Sequence, residues 1–495
     1  MQIKSFLKIF LISIILLISG FNFTGSITIS NLKADILYGP YTQNFNDNSI
    51  IIVWETNTPT SNNYVEYGVD DNYGFIEEGS SDCNHHEVTI KPDFSNGHYR
   101  VFSDGVVSND FRFKLTSYFD KENIFKCIFI GDSRGSWDNW ANAEMVADAV
   151  NNESPIFVIH GGDMVDNGRI IEQWGNWLSL MMPLMQNSTV YGILGNHEYN
   201  CDRYFEIFSL PNNEKWYSFD YGPFHFVILD NYALWGSNSE QYQWLENDLA
   251  NSNSFFKIVC FHEPIYCSGG HSPREDVRVV WEPLFIKYNV KLALQSHCHY
   301  YQRTNKIEDI FYVVSGGAGG PLYTPSDDWF VNISNECYHY CLLEYDPDIN
   351  KLKFTAHYLN SSVFDEFYVD PINGPNPPII SGPSTGLPGE EYEFMFKAYD
   401  PNNYEIYIKV DWGDGTWEYW LGPYEPGNEI FLKHTWENKN NYEIKAKAKN
   451  SDGLESDWSS FKFSMPRRRI ANNLFIKLNN FLSEHELLFL HHIKN

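Results

Sequence analysis

The sequence predicts a multidomain chain in which a layered α/β domain is flanked by two all-β sandwiches. Three observations predict it. The chain has 495 residues, which corresponds to about three domains. Apolar runs of strand length alternate with amphipathic helical stretches only in the middle of the chain. On either side, short β-branched and aromatic segments recur between Asn, Asp and Gly turns.

The elements follow in order. Residues 1–34 read as a signal peptide, with Lys4 and Lys8 flanking the start of an apolar run, Ile9 to Ile18. That run is short for a bilayer span. No small-x-small cleavage site stands out, so an uncleaved anchor is the alternative. Residues 35–117 carry the strand-like "SIIIVWETN", "NYVEYG", "HHEVTI" and "HYRVFSDG", and suggest a β-sandwich. Residues 122–370 hold "KCIFIGD", "PIFVIHGGD", "VYGILGNHE", "KIVCFHEP" and "VKLALQSHCH", each an apolar strand with polar residues at its C-terminal end. Between them lie the helix-like "NWANAEMVADAV", "IIEQWGNWLSLMMPLMQ", "SEQYQWLENDLA" and "VVWEPLFIKYN". Residues 371–390 form a Pro/Gly-rich linker, and 391–466 return to strands as a second sandwich. Residues 467–495 form a tail, read as an amphipathic helix docked on the body or an association segment.

Composition narrows the function classes. The chain is 43% hydrophobic and 20% charged, with 17% aromatics, so it can bury cores. A net charge of −29 argues against nucleic acid and anionic membranes as partners. Asn-x-Ser/Thr sequons at Asn22, Asn152, Asn187, Asn332 and Asn360 agree with export. The eight cysteines show no disulfide framework, and buried free thiols are at least as expected as bridges.

Chemistry concentrates at the strand ends. These are Asp132 in "GDSR", Asp163 in "HGGDMVDNG", Asn196 and His197 in "GNHE", His262 in "FHEP", and His297 and His299 in "SHCH". Each motif alone is weak: a lone Gly-Asp is usually a turn, and a lone His usually a satisfied polar residue. Five in succession, all after apolar runs, are not chance. Carboxylate, imidazole and amide donors suit zinc, manganese or iron. A structural zinc finger is excluded, because no paired cysteines accompany "SHCH". Alternate residues of an extended chain share a face, so His297 and His299 are expected to point one way and Cys298 the other.

This order of motifs resembles the calcineurin-like metallophosphoesterases, and within them the purple acid phosphatases. "HCHYYQRT" and "SGGAGGPLY" look like further family stretches, and "VWETN…VEYG" looks like the fibronectin-type-III-like domain that precedes their catalytic domain. The segment around "VDWGDGTWEYW" resembles a polycystic-kidney-disease (PKD) repeat, with Gly413, Asp414 and Gly415 read as a turn anchored by Trp412. The resemblance implies an α/β four-layer metallophosphoesterase sandwich between the two Ig-like domains. It implies two metal ions (Fe, Zn or Mn) bridged by Asp163. Asp132 and His299 complete the first position, and Asn196, His262 and His297 the second. His197 faces the substrate phosphate and helps protonate the leaving group. His271 stands where some relatives place another substrate-facing histidine. A metal-bound hydroxide is the implied nucleophile.

Four positions depart from the family pattern. Asp166 stands where the purple enzymes have their colour-giving tyrosine, and Arg134 where other relatives have a histidine ligand. The first position therefore lacks its usual fourth ligand, and the protein is expected not to be purple. Asp166 reads as a ligand, an orienting carboxylate or a turn residue, and Arg134 as a phosphate contact or a surface charge. Ser296 replaces a glycine at little expected cost, and Gln302 replaces a glutamate before Arg303, weakening an ion pair. The expected function is a secreted or cell-surface acid-phosphatase-like enzyme that hydrolyses phosphate monoesters. The alternatives are a phosphodiesterase or nucleotidase of the same superfamily, and a non-catalytic adhesion protein. No stable membrane span is expected, and the PKD-like domain is a candidate contact for a cell surface or polymer.

Overall fold

The computed structural model describes residues 33–116, 125–252, 254–347, 349, 351–372, 374–400, 404–451 and 453–465. Apart from Lys33 and Ala34, the leader assigned to 1–34 lies outside the described residues, as does the tail assigned to 467–495.

The first unit is built from two antiparallel sheets. One joins β1 (Ile36–Gln43), β2 (Ile50–Thr60) and β5 (Cys83–Ile90). The other joins β3 (Asn63–Gly68), β4 (Phe75–Glu78), β6 (Asn96–Ser103), β7 (Val106–Val107) and β8 (Phe111–Lys114). Sequence alternation sets the faces. In β5, His86, Val88 and Ile90 are buried while Glu87 and Thr89 are exposed, and in β6 Tyr99 and Val101 turn inward.

The central unit carries two mixed sheets. The first has the order β11-β10-β9-β19-β20-β21. Its strands are β9 (Lys126–Ile130), β10 (Phe157–His160), β11 (Thr189–Gly192), β19 (His339–Asp346), β20 (Lys351–Tyr358) and β21 (Val363–Val369). The second has the order β12-β13-β14-β15-β17-β16-β18. It comprises β12 (Tyr217–Tyr221), β13 (Phe224–Ile228), β14 (Phe256–Cys260), β15 (Val290–Gln295), β16 (Tyr301–Thr304), β17 (Phe311–Ser315) and β18 (Val331–Asn335). The strands flanking the site pair in parallel, β10 with β9 and β11, β14 with β13 and β15, and β15 with β17. Parallel strands are buried on both faces, which is why they read as continuous apolar runs.

Alternate residues of these runs face different layers. Phe157 meets Phe226 edge-on across the two sheets at 5.3 Å, while the neighbouring His160 meets Trp177 of the outer helix layer. In β14 and β15, Ile258, Cys260, Leu292 and Leu294 join the core between the sheets. Val259, Phe261 and Ala293 join a separate outer core. That outer core includes Leu245 and Leu249 of α4 (Glu240–Asn251) and Trp281 and Phe285 of α5 (Glu275–Lys287). On the opposite side α1 (Ala141–Glu153) and α2 (Ile171–Met185) bury Val146, Val150, Trp177 and Met181. The order is helices, sheet, sheet, helices. The four anticipated helices are present, and a short α3 (Asp202–Ile207) was not anticipated.

The C-terminal unit again has two sheets. They are β22 (Ile379–Ser381), β23 (Glu391–Lys397) and β26 (Ile430–Thr435), facing β24 (Ile406–Asp411), β25 (Trp417–Tyr424), β27 (Asn441–Asn450) and β28 (Ser459–Ser464). Trp412 is buried, and its carbonyl accepts from Trp436 Nε1 at 3.1 Å. Asp414 pairs with His434 at 2.8 Å, so the acidic turn is occupied structurally.

The first unit is fastened to the centre by polar contacts. Arg203 of α3 meets Glu55 of β2 through two hydrogen bonds, 2.7 and 3.0 Å. Thr189 donates to Thr42, Gln43 to the Val190 carbonyl, Tyr41 to the Ile207 carbonyl and Tyr99 to the Gln186 carbonyl. Among the described residues, no helix is long and apolar enough to cross a membrane.

Candidate metal centre

Each candidate ligand leaves the C-terminal end of a strand in one of the two sheets: Asp132 after β9, Asp163 after β10, Asn196 and His197 after β11, His262 after β14, and His297 and His299 after β15. The chain must turn abruptly there. Asp132, Asp163 and His297 take left-handed backbone conformations, with φ of 61°, 53° and 66°. Such a conformation costs about 1–3 kcal/mol for a non-glycine residue and persists where the surroundings over-determine it. Gly195 is needed for close approach: a Cβ there would lie 2.3 Å from Asp163 Oδ1.

Four donors converge at one position. His262 Nε2 lies 3.1 Å from His297 Nδ1, 3.3 Å from Asn196 Oδ1 and 3.5 Å from Asp163 Oδ1. The Asp163, His262 and His297 donors all fall within 4.8 Å of one another. His262 Nδ1 donates to the Gly161 carbonyl at 2.7 Å, which leaves Nε2 to face the cluster. Burial disfavours charge on these groups, but His262 and Asp163 offset it mutually. Asp163 is held well below the usual carboxylate range, and His262 is pushed up to about 10. Burial, with the positive His262 beside it, pulls His297 down to about 2. A metal cation would take the place of the proton on His262.

The second cluster is different. Asp132 Oδ1 is buried without a hydrogen-bond partner, 3.3 Å from His299 Nε2. Its other oxygen accepts from His297 N at 2.8 Å. His299 Nδ1 donates to the Pro321 carbonyl at 2.7 Å, and the ring stacks on Tyr323 with centroids 4.4 Å apart. Into this cluster reaches Arg134. Its Nη1 is 2.8 Å from His197 Nε2, and its Nη2 is 3.4 Å from His299 Nε2. Asp166 Oδ2 accepts from Ser136 N at 2.8 Å, and Oδ1 lies 3.7 Å from Arg134. Asp166 thus fastens the Arg134 loop, and Arg134 points inward rather than standing as a surface charge.

The donors fit metal ions. The first-described position offers two imidazole nitrogens and two oxygens, a set that suits borderline divalent ions. At the other position, the orphaned Asp132 Oδ1, the Asp163 carboxylate and His299 Nε2 are available, with a guanidinium at hydrogen-bond distance of the last.

His197 and His271 sit at the edge of the centre. His197 Nδ1 donates to the Asp166 carbonyl at 2.6 Å, and its backbone N–H donates to Asp163 Oδ1 at 2.9 Å. The exposed His271 ring packs on His297 at 4.0 Å. The extended-chain expectation for "SHCH" needs correction. The strand stops at Gln295, and two i to i+2 hydrogen bonds follow, Cys298 N to Ser296 O and Tyr300 N to Cys298 O, both 2.7 Å. Two successive tight turns, not a pleat, place the two imidazoles in different clusters. Cys298 turns away into a pocket with Cys267, Tyr300 and Val314. All eight cysteines are free thiols.

Other supporting residues escaped sequence reasoning. Glu198 is fully buried and accepts from Asp163 N, Gly195 N and Met164 N, clamping two ligand loops together. Burial and the nearby Asp163 push its pKa up to about 7. His160, pulled down to about 3 by burial, bonds Ser133 Oγ at 2.7 Å, which also accepts from Trp177. Ser296 donates to the Ser315 carbonyl and fills the space against Gly131 and Gly161. Arg303 keeps a buried ion pair, but with Asp365 at 2.7 and 2.9 Å, while Gln302 accepts from Ser268. Beside Asn196 opens a cavity of about 830 Å³ lined by Tyr199, Trp216, Tyr232 and Lys215.

Residues 125–301 match the family model described as calcineurin-like phosphoesterase. The chain is 28% identical over 195 residues to purple acid phosphatase 13 of Arabidopsis thaliana, covering 34% of this chain and 36% of that protein. It is 22% identical over 333 residues to the Fe(3+)-Zn(2+) purple acid phosphatase 12 of the same plant, covering 59% and 70%. Several of these alignments span only about a third of the curated relative. The fold resembles purple acid phosphatase PPD1 from yellow lupin (Lupinus luteus) seeds, with a TM-score of 0.61, 17% identity and coverage of 67% and 74%.

Proposed function

We propose that the central unit is a metal-dependent phosphoric ester hydrolase acting on phosphate monoesters, with the flanking sandwiches as fibronectin-type-III-like and PKD-like extracellular modules. The observation that carries this is the convergence of Asn196, His262, His297 and Asp163 donors from four strand ends, beside Asp132 and His299. Asp163 serves both positions, and the ions are zinc, manganese or iron. When bound, the metals would supply positive charge for the phosphoryl oxygens and acidify water.

The chain's own residues would do the rest. Arg134 presents a fixed positive charge to the phosphate, and its planar donors suit phosphate oxygens. His197 is held through Nδ1 by the Asp166 carbonyl while Nε2 accepts from Arg134, so it would first take up a proton at Nε2, turning from Arg134 to the phosphate, and then deliver it to the leaving oxygen. His271, against His297, lies at the same rim and is proposed to face substrate. The buried Glu198 keeps the Asp163 and Asn196 loops in register.

The test compares p-nitrophenyl phosphate with bis-p-nitrophenyl phosphate after metal add-back, in the wild type and in H197A. Metal-dependent turnover of the monoester, reduced roughly 100-fold or more in H197A, is expected. Preference for the diester would favour a phosphodiesterase, and no turnover of either would leave a non-catalytic surface protein.

A further inference from the structure

We propose that Arg134 makes the two metal positions unequal: the position built from Asp163, Asn196, His262 and His297 binds its ion tightly, and the position built from Asp132, Asp163 and His299 fills only at higher metal concentration. The inference rests on the metal-dependent reading above, but it is measured without hydrolysis.

His299 is where the two positions differ. Its Nδ1 proton is committed to the Pro321 carbonyl, so Nε2 carries the lone pair available to a metal. Arg134 Nη2 stands 3.4 Å from that same atom. An ion at this position must displace that hydrogen bond and then tolerate a neighbouring cation. A guanidinium keeps its proton throughout the ordinary pH range, so it cannot relieve the repulsion by neutralising itself.

Arg134 is also held in place. Its backbone N–H donates to the Asp163 carbonyl at 3.1 Å, and Nη1 donates to His197 Nε2 at 2.8 Å. Asp166, 3.7 Å away, balances its charge, and the carboxylate is itself tied to Ser136 N. Swinging the side chain out would leave these partners behind.

Among the described residues, no guanidinium is hydrogen-bonded to the donors of the other position. His262 Nε2 and His297 Nδ1 face each other, Asn196 and Asp163, a carbonyl fixes the His262 ring, and an ion there displaces a proton that leaves to solvent rather than a fixed cation that stays. With one ion bound, Arg134 would supply the second positive charge that a phosphate meets. A single tightly held metal plus a guanidinium would then stand in for a symmetric pair.

The test uses the full chain, stripped with a chelator and titrated with Mn²⁺. Manganese is chosen because it prefers nitrogen and oxygen donors, whereas zinc would also load the eight free thiols. Free Mn²⁺ is read by electron paramagnetic resonance, and bound metal by elemental analysis. The wild type is expected to bind one equivalent first and a second at roughly tenfold or higher free Mn²⁺. Asp132→Asn should remove the upper step alone, and His262→Ala the lower one. Arg134→Met, or the polar Arg134→Gln if the first variant does not fold by circular dichroism, should move the upper step down by roughly tenfold. Binding of two equivalents in one step by the wild type, or an upper step unmoved in the folded Arg134 variant, would overturn the proposal alone. No bound Mn²⁺ at any concentration would remove the metal-dependent reading with it.

Discussion

Glu198 offers a sharp test of how the centre is held, because two substitutions separate its hydrogen bonds from its charge. Its carboxylate accepts three backbone N–H groups, from Asp163 at 2.9 Å, Gly195 at 2.7 Å and Met164 at 2.8 Å. Alanine leaves all three donors unpaired in a buried site. Glutamine retains one oxygen, which can serve Asp163 and Gly195, but sets its amide NH2 against the Met164 N–H and leaves those two donors unpaired. Both variants remove the same charge, whose pKa is pushed up to about 7 by burial and then by Asp163. The charge therefore cancels when the two are compared, and one buried donor, together with the space alanine leaves empty, remains as the difference. At about 1–3 kcal/mol for an unpaired donor, and more for the emptied space, alanine should be at least about 2 kcal/mol less stable than glutamine. Urea unfolding with chelator present, followed by tryptophan fluorescence, measures this without a contribution from metal binding. Alanine and glutamine variants within about 1 kcal/mol of one another would refute the clamp.

Three further outcomes are expected. His225 sits between Asp220 at 2.7 Å and Asp248 at 2.9 Å, and although burial lowers its pKa, these carboxylates raise it to about 9. Its contribution, about 1–3 kcal/mol after discounting the exposed Asp220, is complete below about pH 6.5 and is lost as pH rises through about 9. H225N should flatten that part of the stability profile, and an unchanged slope would contradict it. Breaking the Arg203–Glu55 pair with R203A should cost up to about 3 kcal/mol, because it leaves a largely buried carboxylate with His85 at 3.5 Å as its remaining partner, and should speed limited proteolysis between the first two units. Iron-loaded protein should lack strong visible absorption, since Asp166 is bonded to Ser136 N and offers no phenolate. A strong band would instead point to Tyr323, stacked on His299.

The strand ends that carry the candidate ligands are legible because parallel strands buried on both faces leave an unmistakable apolar run, and the polar residue after each run has nowhere to go but the layer edge. The helices were legible from their periodicity. What the sequence hid was pairing across long separations. Arg303 meets Asp365, 62 residues away, and nothing local marks that carboxylate. Glu198 looked like the end of the "GNHE" motif, although its role is to accept from the loop 35 residues earlier. The local geometry of "SHCH" was misjudged because a left-handed His297 has no compositional signature. From the sequence Arg134 is either a phosphate contact or a surface charge, since only three dimensions bring it to His299.

The fastening of the first unit has a consequence for solubility. β11 is the terminal strand of the six-stranded sheet, and its outer side is met by Thr42 and Gln43 of β1. An open strand edge invites pairing with another chain, and natural proteins cover or charge such edges. The N-terminal sandwich therefore acts as an edge guard. Removing it should leave the central layers prone to edge-to-edge association even where every candidate metal ligand is intact. A truncation that begins at residue 122 should accumulate as aggregates, and adding a lysine at Thr189 should partly restore a dispersed protein.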